Sequence, residues 1–136
     1  MAIFLDTGII VAADNAHDQL HEKALEITER IKSGFYGNAA YISDYIFDEA
    51  LTLTFARTGN MELSKGLAKK LLATKSLTWL HVEENTFTET IARYLSQKGK
   101  LSFTDCTTVE LMKQNNIEYI ATFDSGFKSI AGIKTV

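Results

Sequence analysis

The stretch Ala2-Ile3-Phe4-Leu5-Asp6-Thr7 decides the fold class. Its first four residues form an unbroken apolar run, the pattern of a strand covered on both faces rather than one wetted at alternate positions. A carboxylate closes the run, giving a buried strand over 2–6. A short helix over 7–14 follows it. Strand, acid and helix in that order begin a parallel α/β sheet, and ligands of such sheets bind beyond the carboxyl ends of the strands. Asp6 falls at that edge.

Outward from this segment the alternation continues. A helix over 18–33 carries Leu20, Ala24, Leu25, Ile27 and Ile31 at helical spacing, and Gly34 stands just past its end. A short strand spans 39–42. Ser43 is placed to cap a helix running through Arg57 and stopped by Gly59. Asn60 starts another helix to about Thr74. A strand over 77–82 and a helix over 83–97 come next, with Gly99 after them. The pattern Ser102-x-x-Asp105 opens a helix over 104–115. A strand over 119–122 and a last one within 132–136 complete a parallel sheet flanked by helices.

No repeat, low-complexity tract or linker divides the chain, and its 136 residues suit one domain with a real core. A hydrophobic content of 46% and a charged content of 23% place it among globular proteins rather than disordered ones. The opening residues lack a basic region ahead of an apolar stretch, so no secretory signal is expected. No apolar run approaches the ~20 residues that span a bilayer. The lone Cys106 forms no internal disulfide and supplies no zinc cluster, which fits a cytoplasmic location. A net charge of −3 argues against a surface that coats nucleic acid. Setting aside Asp6, Glu49, Asp105 and Asp124 leaves 14 basic against 13 acidic residues, so a cation at those four would remove most repulsion towards a phosphate backbone.

Those four carboxylates are the candidate site. Glu49 has Tyr45, Ile46 and Leu53 on its own helix face, so it points towards the packed side. A buried carboxylate is neutralised, paired or metal-bound, and a structural salt bridge is the plain alternative. Asp48, beside it, shares a side with Asp44 and Thr52 and belongs to a solvated face. Asp6 equally suits a helix cap, Asp105 a capping box and Asp124, before Ser125-Gly126, a turn. Their joint placement points to an acidic pocket. Two unit charges ~4 Å apart repel by roughly 4 kcal/mol at an effective dielectric near 20. An all-oxygen set of this kind suits Mg²⁺ or Mn²⁺, and such ions promote phosphodiester hydrolysis.

At these residues the sequence resembles the PIN-domain family of metal-dependent ribonucleases. The matching stretches are Phe4-Leu5-Asp6-Thr7-Gly8, Ser43 through Glu49, Leu101-Ser102-Phe103-Thr104-Asp105, and Ala121-Thr122-Phe123-Asp124-Ser125-Gly126-Phe127. They span nearly the whole chain, and its size is most like the VapC-type toxins of toxin–antitoxin pairs. The resemblance implies a Rossmann-like sheet, Mg²⁺ or Mn²⁺ dependence and endonucleolytic cleavage of RNA. It places Asp6, Glu49, Asp105 and Asp124 in the metal-binding set, with Thr7 and Thr104 orienting the acids or simply capping helices. It also implies a homodimer and a small antitoxin partner. A metal-activated water attacking in line would leave a 5′-phosphate and a 3′-hydroxyl.

Other residues carry weaker signals. His17 and His21 are four apart, yet their neighbours read as solvated surface. Cys106 is a small buried residue without a histidine partner. Arg57, Arg93, Lys98 and Lys100 are candidates for phosphate contact, Arg57 and Lys100 foremost. Phe4, Phe47, Phe55, Trp79, Phe103 and Phe123 are core by periodicity, while Phe127 suits either core packing or base stacking. Two rivals remain. A phospho-accepting receiver-like module would need paired acids after the first strand and an aspartate ending the middle one, and the chain has neither. A non-catalytic PIN-like scaffold binding RNA or protein has four intact acids against it.

Overall fold

In the computed structural model, which describes residues 1–136, β1 (Ala2–Leu5) forms the middle of a five-stranded sheet. The other strands are β2 (Ala39–Ser43), β3 (Leu77–Leu80), β4 (Tyr119–Ala121) and β5 (Lys134–Thr135). All neighbours pair in parallel, in the order β3-β2-β1-β4-β5. Successive residues Ile3, Phe4 and Leu5 are all buried, so both faces of β1 are covered. Six helices flank the sheet: α1 (Thr7–Asp14), α2 (His21–Lys32), α3 (Asp44–Thr58), α4 (Met61–Ala73), α5 (Glu84–Ser96) and α6 (Phe103–Gln114). None is long and apolar enough to cross a membrane.

This topology fixes where a site can form. After β1 the chain adds β2 and β3 on one side, then crosses over to add β4 and β5 on the other. A crevice opens beyond the strand ends at such a reversal. Leu5 pairs with Ala121, and the Asp6 N–H donates to the Ala121 carbonyl at 3.0 Å. The residues just past both strands, Asp6 and Thr122, are therefore side by side.

Several element boundaries differ from the sequence expectation, each for a local reason. The second helix starts at His21, not at 18. The Asp18 carboxylate accepts from the Leu20 N–H at 2.8 Å, and the Asn15 side chain accepts from the His17 N–H at 3.0 Å. These side-chain bonds hold the segment in turns. His17 and His21 consequently share no helix face; His21 Nδ1 lies 2.7 Å from the Ala12 carbonyl oxygen. β3 stops at Leu80 because the Val82 N–H donates at 3.1 Å to the Asp44 carboxylate instead of continuing the ladder. Asp44 is thus half-buried and structural rather than part of the solvated side. The final strand contracts to two residues, and Ser125–Ser129 forms a 3₁₀ turn where a plain turn was expected. Phe127 is fully buried in the core, which excludes base stacking, whereas Phe55 is 43% exposed and not core. Phe103 is half-buried, ringed by Tyr45, Phe87 and Tyr94.

Candidate active site

All four candidate carboxylates line one cavity of about 380 Å³ at the carboxyl edge of the sheet, together with Thr7, Gly8, Leu53, Ser102 and Phe123. Asp6 and Asp105 are also the cap and the capping-box residue expected of them, and Asp124 caps a 3₁₀ turn. Asp6 Oδ1 accepts from the Thr7 N–H at 2.9 Å at the start of α1. Asp105 Oδ2 accepts from the Ser102 N–H at 3.0 Å, and Ser102 Oγ accepts from the Asp105 N–H at 3.1 Å, closing a capping box. Asp124 Oδ1 accepts from the Gly126 N–H at 2.8 Å ahead of the 3₁₀ turn. Capping and site formation are compatible, because each cap aims a helix start and its partial positive charge at the same cleft. Glu49 comes from the middle of α3 and makes no hydrogen bond. It is half-buried and faces the cavity rather than the packed interior.

The two innermost acids carry the electrostatic strain. Asp6 is 5% exposed and Asp105 7%. Burial pushes the Asp6 carboxyl from its ordinary 3.8 up to about 7. The charges of Asp105 and Glu49 add to the rise, and the bonds from Thr122 and the Thr7 N–H oppose it. Burial likewise lifts Asp105 to about 6, helped by Asp124 and Glu49 and resisted by its bonds to Ser102. Both groups would return to the ionised form opposite a cation.

Thr122 is a contact of the candidate acids that the sequence reading missed. Its Oγ1 donates to Asp6 Oδ2 at 2.6 Å across 116 positions, and the same oxygen accepts from the Asp124 N–H at 2.9 Å. One hydroxyl therefore ties the first acid to the last. The available signal was a threonine ending one strand, two residues before an aspartate, beside a strand that ends in another. Thr7 does line the cavity, and its Oγ1 is buried with no partner. Thr104 does not line it and makes no side-chain hydrogen bond to a carboxylate. Arg57 does not line the cavity, and its guanidinium lies 3.4 Å from Asp18 Oδ2. Lys100 lines a neighbouring cleft. Burial pushes the Cys106 thiol up, so it has no reactive thiolate.

The donor set fits a hard divalent cation. It is all oxygen, and the orphaned Thr7 hydroxyl is a polar atom that an ion or its water would satisfy. As the side chains stand, no three of them close around a single point. The carboxylate oxygens without a hydrogen bond are both of Glu49, Oδ1 of Asp105 and Oδ2 of Asp124.

A doubly wound parallel sheet with an acidic cleft at its topological switch point defines the class. The sequence profile of the PIN domain matches residues 3–133, and the chain belongs to that family. Its fold is similar to that of VapC20 from Mycobacterium tuberculosis, described as a sarcin–ricin-loop-cleaving toxin. The TM-score is 0.85 at 24% identity, covering 98% of each chain. It is also similar to VapBC2 from Rickettsia felis, solved with a fragment of promoter DNA, with a TM-score of 0.68 at 19% identity over 100% of this chain and 98% of that one. FitAcB from Neisseria gonorrhoeae gives a TM-score of 0.68 at 18% identity over 98% and 95%. Comparison with curated protein sequences gives no significant match.

Proposed function

We propose that this protein is a Mg²⁺- or Mn²⁺-dependent endoribonuclease and the toxin of a toxin–antitoxin pair. The observation that carries the reading is the convergence of Asp6, Glu49, Asp105 and Asp124 on one cavity, two of them buried without a cationic side chain to balance them. Asp6 and Asp105, fixed by their caps, supply the rigid half of the cation site. Glu49, half-buried, and Asp124, exposed, supply the outer half. Thr122 holds Asp6 in orientation, leaving a second lone pair on each of its oxygens for the ion. A bound divalent ion supplies water activation and stabilises charge on the phosphodiester. No histidine or lysine lines this cavity to serve as a base or nucleophile, so the chain's own contribution is to hold the ion, orient the strand and exclude bulk water.

Two partners follow from the same reading. Exposed apolar residues Phe87, Ile91, Tyr94 and Leu95 form a stripe on α5 at helical spacing, which we assign to a homodimer contact. A cleft of about 370 Å³ between α2 and α4, lined by Leu25, Ile31, Leu67 and Leu71, offers an antitoxin segment an apolar seat. The toxin–antitoxin complex from Klebsiella pneumoniae, whose fold is similar (TM-score 0.63 at 18% identity, covering 99% of this chain and 97% of that one), supports an antitoxin partner.

The test is cleavage of an end-labelled structured RNA pool with Mn²⁺, with EDTA, and by Asp6→Asn protein. Cutting that requires Mn²⁺, is lost in the variant and leaves 5′-phosphate and 3′-hydroxyl ends is expected. Cutting that survives EDTA and the substitution, or that leaves 2′,3′-cyclic phosphates, would sink the mechanism.

A further inference from the structure

A second cleft, of about 420 Å³, opens beside the acidic cavity and has the opposite charge. Arg93, Lys98 and Lys100 line it, with Leu101, Gly126 and Ser129 among the remaining walls. No carboxylate lines it. Arg93 is already held: its Nε donates to Glu110 Oε1 across the α5–α6 contact. Lys98 and Lys100 make no ion pair or side-chain hydrogen bond. With Arg93 paired to Glu110, the two lysines are the uncompensated cations of this concave surface, and an anion between them would relieve their repulsion.

The loop carrying the lysines is built rather than loose. Gln97 Nε2 donates to the Leu101 carbonyl at 2.7 Å, and the Leu101 N–H donates to Gln97 Oε1 at 3.1 Å. This pair of bonds closes the loop and leaves Lys98-Gly99-Lys100 at its tip. Leu101 leads directly into the Ser102–Asp105 capping box, so the loop is anchored to the acid site. On the opposite wall Gly126 donates to Asp124, and a methyl group added at Gly126 would lie 3.1 Å from both Asp124 Oδ1 and the Leu101 side chain. The linings of the two clefts abut at Leu101–Ser102 and at Asp124–Ser125, one cleft acidic and the other basic. A polyanionic chain with one phosphate at the acids would bring a flanking phosphate towards the lysines.

Resting on the ribonuclease reading, we propose that the Arg93–Lys98–Lys100 cleft binds an internal backbone phosphate of the RNA strand flanking the scissile one. Contacts of this kind position the strand without reading its bases. They also make affinity fall with salt, with each neutralised phosphate of a single strand contributing about 0.7 to the log–log slope.

The test measures binding of a fluorescent RNA oligonucleotide to Asp6→Asn protein in Mn²⁺ across a salt series, with and without Lys98→Ala/Lys100→Ala. Arg93 is left intact because its removal would strand Glu110. The lysine pair should weaken binding about tenfold and flatten the slope by about 0.7. Lys69→Ala/Lys75→Ala, which removes the same charge from an exposed region away from both clefts, should bind as the parent does. In the otherwise wild-type enzyme the Lys98/Lys100 loss should fall on KM. Oligonucleotides with a 5′-hydroxyl and a 5′-phosphate should be affected alike, as an internal phosphate requires. An effect confined to the 5′-phosphorylated RNA would overturn the assignment. So would equal affinity and slope in the lysine variant while the wild type still cuts RNA with Mn²⁺, an outcome that leaves the nuclease standing. RNA binding that depends on these lysines in a protein that never cuts would support the cleft and overturn the nuclease instead.

Discussion

Thr122 shows how much one hydroxyl can hold. It donates to a buried carboxylate and accepts from the backbone of a second acid, so it aligns two ends of the chain that meet only in the folded state. Thr122→Val keeps the shape and removes the donor. Activity in Mn²⁺ should fall about 10–100-fold, as when groups behind metal ligands are lost, and Thr122→Ser should restore most of it. A drop in melting temperature without a drop in kcat would mean a purely structural role. The buried acids make a second prediction. Asp6 titrates near 7 in the folded chain against an ordinary 3.8, so the folded state keeps a proton that the unfolded state releases. Metal-free protein should therefore lose stability as pH rises from about 4 to 7, by at most about 1.4 kcal/mol per pH unit for this group. Asp105 adds to the slope up to about pH 6. Thermal melts in EDTA should show this decline, and Asp6→Asn should flatten it and raise the melting temperature at pH 7.5.

Secondary-structure elements bring the site together through their ends. β1 was legible from its apolar run, and the Ser102–Asp105 box from its spacing, because both signals are local. The start of α2 and the end of β3 were not legible. The first depends on Asn15 and Asp18 capturing nearby N–H groups, and the second on Asp44 reaching Val82 across 38 positions. Asp44→Ala should leave that N–H unmet and cost about 1–3 kcal/mol, measured by denaturant unfolding. An unchanged midpoint would mean that water replaces the carboxylate. The α5 stripe belongs to the same scale. Leu95 is 77% exposed, and Leu95→Glu with Ile91→Glu should convert a dimer to a monomer in analytical ultracentrifugation. A wild-type chain that sediments as a monomer would remove the assignment.

Across the whole molecule, the fold converts weak sequence signals into a strong spatial one. Each acid had an ordinary explanation when read alone, and two of those explanations are correct: Asp6 caps α1 and Asp105 closes a capping box, while Asp124 caps a 3₁₀ turn where a plain turn was expected. Their gathering depends on the β3-β2-β1-β4-β5 order, which sets β4 beside β1 and so Asp124 near Asp6. Periodicity shows that strands exist but not which of them are neighbours, and Thr122 was invisible for that reason. Arg57 and Thr104, expected near the site, do not line the cavity. The measurement that tests the central claim most directly is calorimetric titration of Mn²⁺ into the wild type and into Asp6→Asn, Glu49→Gln, Asp105→Asn and Asp124→Asn, each checked for folding. A single site built from all four acids predicts binding by the wild type and a loss of about tenfold or more in every variant. Wild-type protein that takes up no Mn²⁺, or variants that bind it as tightly as the parent, would contradict it.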